Sequence, residues 1–283
     1  MKKTLSVVLA VLMALGCIFM LASCKPADTN TNETTTAEAD TNENTDAKTV
    51  VVGYTIYEPM NYFDENNKLI GFDTELAEKV FGNLGYTVIF QEIEWSAKYT
   101  DLNSGTIDCV WNGFTANTAD DDGVLRSEKV DFSYNYMENR QVIVVKADSG
   151  IAAAEDLKGK FGVAESGSAG EEYAGSFEGT TVKGFIKQTE CLTEILSGTA
   201  DFAAVDAQLA KAYVGKGDYA DLKVVDALSS DVEFYAIGFK KGSELTANVN
   251  AQLEALAADG TIAALAEKYG VSNTAITDFA DQK

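Results

Sequence analysis

Histidine is absent from all 283 residues. That removes every chemistry needing an imidazole as proton carrier or ligand, including a Ser-His-Asp triad, a Cys-His nucleophile pair and an H-E-x-x-H zinc site. Arginine occurs only as Arg126 and Arg140, and proline occurs twice. Basic residues number 22 against 44 acidic ones, a formal net charge of -22. Such a chain repels phosphate backbones, and no nucleic acid partner is expected. Cysteine is also scarce. Cys17 and Cys24 lie in an apolar N-terminal segment, which leaves Cys109 and Cys191, 82 residues apart. Cys109 sits in a strand-like I-D-C-V-W run and Cys191 in a helical T-E-C-L-T-E-I-L run, so both read as buried thiols rather than a disulfide. Two thiols without His do not make a metal site, and neither metal nor cofactor is expected.

Hydrophobic residues make up 46% of the chain, enough to fill real cores, and the length suits two compact domains. The N-terminus reads M-K-K, then an apolar stretch from Leu5 to Ala22, then L-A-S-C. This is the layout of a secretory signal, with a signal anchor as the alternative. The ending resembles a bacterial lipobox, which implies cleavage after residue 23 and a lipid-modified Cys24 holding the protein to the membrane. Lys25 to Lys48 consists almost wholly of Thr, Asn, Asp, Glu and Ala. Without large apolar residues it reads as a disordered tether, spanning about 27 Å at random-coil scaling.

From Thr49 onward the periods alternate. T-V-V-V-G-Y-T opens a strand, Phe72 to Leu84 has helical spacing, and Tyr86 to Phe90 is a strand. Ser96 is placed to cap a helix running to Asn103, and Ile107 to Trp111 reads as a short buried strand. A second series begins near Gln141, with strands at Q-V-I-V-V, F-G-V-A, T-V-K-G-F and D-F-A-A-V separated by helical segments. Lys223 to Val225 and Phe234 to Phe239 follow as strands, then helices over Ser243 to Ala258 and Thr261 to Tyr269. The expected fold class is α/β, with two lobes.

Two loops invite over-reading. S-G-S-A-G, Ser166 to Gly170, follows a strand and opens a helix, so its backbone N-H groups suit an anion. It lacks the G-x-G-x-x-G spacing and the P-loop lysine, so a carboxylate fits it as well as a phosphate does. Asp64 to Glu75 is faintly like an EF-hand loop, but Lys68 and Leu69 replace a ligand and the turn glycine, which assigns it to a hairpin.

Arg126 and Arg140 suggest a need for a planar donor fork, which fits a carboxylate better than an ammonium does; the alternative is a surface ion pair. Around Arg126 stand W-N-G-F-T (Trp111 to Thr115) and V-D-F-S-Y-N-Y (Val130 to Tyr136). Farther off lie G-F-D-T-E-L-A (Gly71 to Ala77), S-G-T-I-D (Ser104 to Asp108), E-S-G-S-A-G (Glu165 to Gly170), S-G-T-A-D (Ser197 to Asp201) and A-A-V-D (Ala203 to Asp206). This ordered set, between about Val50 and Gly270, resembles the family 3 solute-binding proteins, the amino-acid receptors of ABC importers. The resemblance implies a periplasmic-binding-protein-like type II fold: two α/β lobes joined by two hinge strands, with an amino acid closed between them. Lobe one would comprise residues 49–136 and 237–283, and residues 137–236 the hinge strands and lobe two. Arg140 would then be a hinge residue.

Carried over by resemblance, Arg126 grips the α-carboxylate, helped by the Thr115 hydroxyl and backbone N-H groups near Ser168 and Ala169. Asp206 takes the α-ammonium. A buried zwitterion needs a partner at each end, so this division is physically apt. The alternative for Asp206 is a helix N-cap before A-Q-L-A-K-A-Y. Tyr57 and Trp95 match positions that pack against the ligand side chain, Tyr54 lies where some relatives carry an acid, and Asn112 and Gly113 would line the floor. One departure stands out: A-D-D-D-G, Ala119 to Gly123, separates Thr115 from Arg126 more widely than in relatives. Asp120 to Asp122 read as a solvated turn.

These readings lead to a lipid-anchored, monomeric extracytoplasmic receptor that delivers an α-amino acid to an ABC permease with its ATPase. No catalytic residue is expected. The rivals are an enzyme on the same fold, of the cyclic amino-acid dehydratase type with Glu165 as its nearest acid, and a sensor that reports the ligand without transport.

Overall fold

A computed structural model describes residues 48–282. The segment expected to be a signal peptide, Cys24 and nearly all of the expected tether lie outside the described residues. Chain order begins with β1 (Lys48–Tyr54), β2 (Tyr62–Phe63), β3 (Leu69–Ile70), α1 (Phe72–Asn83), β4 (Tyr86–Glu92), α2 (Lys98–Ser104), β5 (Cys109–Val110), α3 (Arg126–Lys129) and β6 (Asp131–Phe132). It continues through β7 (Met137–Asn139), β8 (Gln141–Lys146), β9 (Phe161–Glu165), α4 (Ala169–Gly175), β10 (Thr181–Phe185), α5 (Gln188–Ser197), β11 (Phe202–Asp206) and α6 (Ala207–Tyr213). Last come β12 (Leu222–Ser229), β13 (Glu233–Tyr235), β14 (Gly238–Phe239), α7 (Leu245–Ala258) and α8 (Thr261–Lys268).

The strands form two five-stranded sheets, ordered β4-β1-β5-β14-β6 and β10-β9-β11-β8-β12. In the first, β1 runs parallel to both β4 and β5; Val50 and Val52 are fully buried on one face and Val51 is partly buried on the other, so the strand reads as one apolar run. Helix α1 buries Phe72, Leu76, Ala77, Val80 and Phe81, the stripe its helical spacing predicts. In the second sheet β9 pairs parallel with β10 and β11, while β8 returns antiparallel to β11 and β12. The result is two α/β lobes, as the sequence led us to expect.

Between the lobes the chain crosses twice. Strands β7 and β13 pair antiparallel, Asn139 opposite Glu233 and Met137 opposite Tyr235. The run Phe234 to Phe239, expected as one strand, is therefore two. Glu233–Tyr235 belongs to the crossing ribbon, whereas Gly238–Phe239 pairs with β5 and β6 in the first sheet. Apolarity alone does not register that change of partner.

Three local readings can be judged here. The hairpin expected over Asp64 to Glu75 is met only in part: β2 pairs with β3 across residues 62–70, so the first strand precedes Asp64 and Phe72 to Glu75 open α1, while the Asp64 carboxylate closes the turn by accepting from the N-H groups of Asn66 and Lys68. Cys109 and Cys191 are free and buried. Ser96 does not cap α2: it lies inside a 3-10 turn, Trp95–Ala97, and the N-cap position falls to Ala97 with no side-chain cap.

Candidate functional site

The insert before Arg126 folds back on itself. Ala119 bridges Leu125, the Asp120 N-H reaches the Val124 carbonyl at 3.0 Å, and the Arg126 N-H reaches the Thr118 carbonyl at 3.1 Å. This brings Asp120 against the first residue of α3. Arg126 Nε donates to Asp120 Oδ1 at 2.8 Å, Nη1 to the Thr115 carbonyl at 3.3 Å and Nη2 to the Gly167 carbonyl at 3.4 Å. The guanidinium is 5.5 Å from the centre of the Phe114 ring, and Arg126 is 1% exposed. Of its five N-H donors three are engaged, which leaves two on the outer edge of the fork. Asp120 is therefore no solvated turn residue. Its second oxygen accepts from Tyr99 Oη at 2.6 Å and Lys129 Nζ at 2.8 Å. Burial alone would raise its pKa, but the bonds from Lys129, Tyr99 and Arg126 outweigh that and hold it low.

Asp206 stands at the N-cap position of α6 and makes no cap bond with its side chain. The carboxylate turns toward amides instead. Oδ1 accepts from Asn139 Nδ2 at 2.8 Å and Gln141 Nε2 at 2.6 Å, and Oδ2 from Gln188 Nε2 at 2.5 Å. Gln188 closes a ring by accepting the Asp206 N-H at 2.9 Å. Glu233, on the crossing ribbon, accepts from the same Asn139 and Gln141 nitrogens at 2.5 and 2.7 Å. Two buried carboxylates thus share two amide donors. Burial raises the pKa of Asp206 against these hydrogen bonds. For Glu233, burial and then the Asp206 charge push the value up to about 7.

Arg126 and Asp206 both line one narrow cavity, together with Trp95, Gly113, Thr115, Gln141, Glu165, Ser168, Ala169 and Gln188. Its volume of about 10 Å³ is roughly what one water molecule needs. The lobes meet around it. Lys98 Nζ donates to the Gly167 carbonyl at 3.0 Å, Thr118 Oγ1 lies 3.3 Å from Glu172 Oε2, and Lys187 pairs with Glu92 at 2.7 Å. Admission of a small molecule to this space requires the lobes to part. The floor is set by Gly113, whose φ of 63° is left-handed and whose N-H donates to Asp73 Oδ2 at 3.1 Å. A Cβ there would lie 2.8 Å from Tyr57 Cε1 and 3.0 Å from Tyr235 Cε2.

Several residues singled out in the sequence occupy different positions. Tyr57 is buried behind Gly113 with its hydroxyl 2.8 Å from that of Tyr235, and Tyr54 is buried edge-on to Phe90; neither is among the lining residues. Asn112 lines the cavity, but its amide is fully engaged with Thr55 and Asn61. The Ser168 N-H donates to the Glu165 carbonyl at 3.1 Å, and the Ser168 hydroxyl accepts from the Glu171 N-H as the cap of α4. The loop's N-H groups without a protein partner among the described residues are those of Ala169 and Gly170. Arg140 is exposed, between β7 and β8, and donates to the Ser230 carbonyl at 2.7 Å. Glu165 is 4% exposed rather than solvated, and burial, then the charge of Asp206, push its pKa up to about 8.

The sequence reading did not find Asn139, Gln141, Gln188, Glu233 or Lys98. Gln141 opens an apolar strand and Glu233 closes a polar turn, positions where polar residues are ordinary. Only Lys98, inside W-S-A-K-Y-T-D-L, carried a signal: it falls four residues before Leu102 on the buried face of α2.

The geometry can be set beside known proteins. The arginine-binding extracellular protein ArtP of Bacillus subtilis is 30% identical over 216 residues, 75% of this chain and 82% of its own. The L-cystine-binding protein TcyA of the same organism is 29% identical over 95% of this chain and 97% of its own. Among solved structures, an ancestral arginine-binding protein bound to arginine is 36% identical with a TM-score of 0.71, over 78% of this chain and 97% of that one. An ABC uptake transporter substrate-binding protein from Streptococcus pneumoniae with bound histidine is 30% identical with a TM-score of 0.70, over 78% and 92%. Residues 50–272 match the family model of the bacterial extracellular solute-binding proteins, family 3, and the chain belongs to that family.

Proposed function

We propose that this protein is an extracytoplasmic receptor that binds an α-amino acid by closure of its two lobes and hands it to an ABC importer permease with its ATPase. The carrying observation is that Arg126, from one lobe, and Asp206, from the other, line the same cavity. An α-amino acid carries opposite charges on two groups of one carbon, and burying it is unfavourable unless each end meets a partner. In this reading the two remaining Arg126 donors hold the α-carboxylate, with Thr115 and the Ala169 N-H beside them. Asp206 takes the α-ammonium, Trp95 flanks the ligand and Gly113 floors it. The lobes divide at 136/137 and 236/237. The mature chain is a monomer anchored through lipidated Cys24, and its work is binding without covalent chemistry.

Isothermal titration of the purified protein with the common amino acids tests this. Arg126→Ala or Asp206→Ala, each leaving one buried charge unmatched, should weaken binding by about 3 to 5 kcal/mol, two orders of magnitude or more in Kd. Unchanged affinity in both variants, with folding intact by circular dichroism, would sink the site assignment. The dehydratase alternative has one observation in its favour: Glu165 lies in the cavity with a pKa near neutrality, as a general acid requires. Recovery of the ligand unchanged after prolonged incubation excludes it.

A further inference from the structure

The cavity and its surroundings hold more carboxyl groups than a neutral amino acid needs. Arg126 is already offset by Asp120 at 2.8 Å. Against it stand Asp206, Glu165 and Glu233, which are 7%, 4% and 7% exposed and take part in no ion pair among the described residues. Glu233 faces Asp206 through the shared amides of Asn139 and Gln141 and is not among the residues lining the cavity. Glu165 does line it, beside Gln188, an uncharged amide whose nitrogen is given to Asp206. The other cation nearby is Lys98. Its ammonium is turned to the Gly167 and Trp95 carbonyls at 3.0 and 3.4 Å and has no acid within ion-pair distance among the described residues. Burial, then the neighbouring Arg126 charge, lower its pKa to about 7, so it is a weak counter-charge for Glu165.

We infer that the cavity takes an α-amino acid whose side chain carries a second positive charge, a guanidinium, ammonium or imidazolium, and that Glu165 is the residue that accepts it. This rests on the receptor reading above. An α-carboxylate on Arg126 and an α-ammonium on Asp206 satisfy the zwitterion and leave Glu165 as a buried carboxyl on the cavity wall. A buried carboxylate without a cation is unfavourable and keeps its proton; a cationic side chain replaces that proton. Binding of such a ligand therefore releases a proton that binding of its neutral isostere does not, and weakens as the pH falls below about 8, where Glu165 holds its proton.

The discriminating pair is arginine and citrulline, nearly the same shape with and without the charge. Titration calorimetry of the purified protein should show arginine at least tenfold tighter. In two buffers of different ionisation enthalpy, proton release should be larger for arginine. Glu165→Gln should bring the arginine-to-citrulline ratio close to one and abolish the difference in proton release, while Glu165→Asp retains part of both. A merely structural role for Glu165 would weaken the two ligands alike and leave the ratio intact, which overturns the inference. So does tighter binding of citrulline, glutamine or cystine than of arginine, lysine or histidine, although the receptor reading then stands. Binding of no amino acid by the folded protein overturns both.

Discussion

Arg126 Nε and Asp120 Oδ1 are 2.8 Å apart, and the acid comes from the very insert that displaces the arginine along the chain. The longer loop does not remove Arg126 from the cleft. It folds back through the Ala119 and Leu125 bridge and supplies a carboxylate that fixes the guanidinium from behind, with its outer edge toward the cavity. A planar fork held along one edge loses little further freedom on meeting a second carboxylate.

Removing that support should therefore harm both fold and binding. Asp120→Ala leaves Arg126 buried without its acid and also frees Lys129 and Tyr99. The expected loss of stability is about 3 kcal/mol, the lower end for a broken buried pair because Lys129 reaches solvent. Urea unfolding measures it. Amino-acid affinity should fall at least tenfold by calorimetry, and an Asp120→Ala variant that binds as the parent does would show that Arg126 needs no such support.

Gly113→Ala tests the cavity floor. The left-handed φ of 63° disfavours any Cβ, and this one would press on Tyr57 and Tyr235, whose hydroxyls are bonded to each other. A loss of about 1 to 3 kcal/mol is expected from strain and repacking together. Affinity should fall more than stability predicts, because Gly113 lines the cavity itself and any shift of its backbone reaches the ligand space. Thermal melts with and without ligand separate the two effects.

Four buried carboxyls set the pH dependence. Asp73, whose ordinary value is 3.8, is pushed up to about 7 by burial, against hydrogen bonds from Tyr136 and Gly113. Glu165 rises to about 8, Glu233 to about 7, and Asp206 also rises. A raised acid holds its proton in the folded state after the unfolded chain has lost it. Its contribution is fully present below about pH 4 and is lost as the pH climbs through 7 to 8. Asp120, Glu75 and Asp131 are lowered and act oppositely, losing their contribution as the pH falls through their folded-state values. The unliganded protein should melt highest near pH 5 and lose stability toward pH 8. Each tenfold difference in acidity between the two states is worth about 1.4 kcal/mol, or about 3 to 6 °C in a domain of this size. A melting temperature flat from pH 5 to 8 would contradict the buried carboxyls as a group.

What the sequence made legible was whatever rests on local pattern. The valines of β1 and the stripe of α1 follow from period alone, and the turn closed by Asp64 from the misfit of its loop to a calcium site. The pairing of Arg126 with Asp206 across one cavity came through the ordered motifs. Invisible were the contacts joining distant segments. Asn139 and Gln141 hold Asp206 from 67 and 65 residues away, and nothing in N-R-Q announces two amides shared by two acids. Asp120 was misread because three consecutive acids beside a glycine normally mark a solvated turn, and only the fold brings Arg126, Lys129 and Tyr99 to one of them.

Closure itself has a specific latch. The Gly167 carbonyl, in the loop before α4, accepts from Lys98 Nζ at 3.0 Å and from Arg126 Nη2 at 3.4 Å. Two buried cations of one lobe therefore converge on a single oxygen of the other. Lys98 is 2% exposed, lies 5.1 and 4.7 Å from the ring centres of Trp95 and Tyr99, and is well placed only when the lobes meet. Lys98→Met keeps the packing stem and removes the donor. A hydrogen bond to a charged group is worth about 1.5 to 3 kcal/mol, so ligand dissociation should speed at least tenfold while association, which occurs on the open form, changes little. The half-exposed pair of Lys187 with Glu92 also crosses between lobes, but exposed pairs contribute about 1 kcal/mol at most and are screened by salt. Lys187→Met should therefore alter dissociation only slightly, and less at high salt. Stopped-flow kinetics on the two variants make the comparison. Equal effects of both would show that closure rests on summed interlobe charge instead of the buried Lys98 contact.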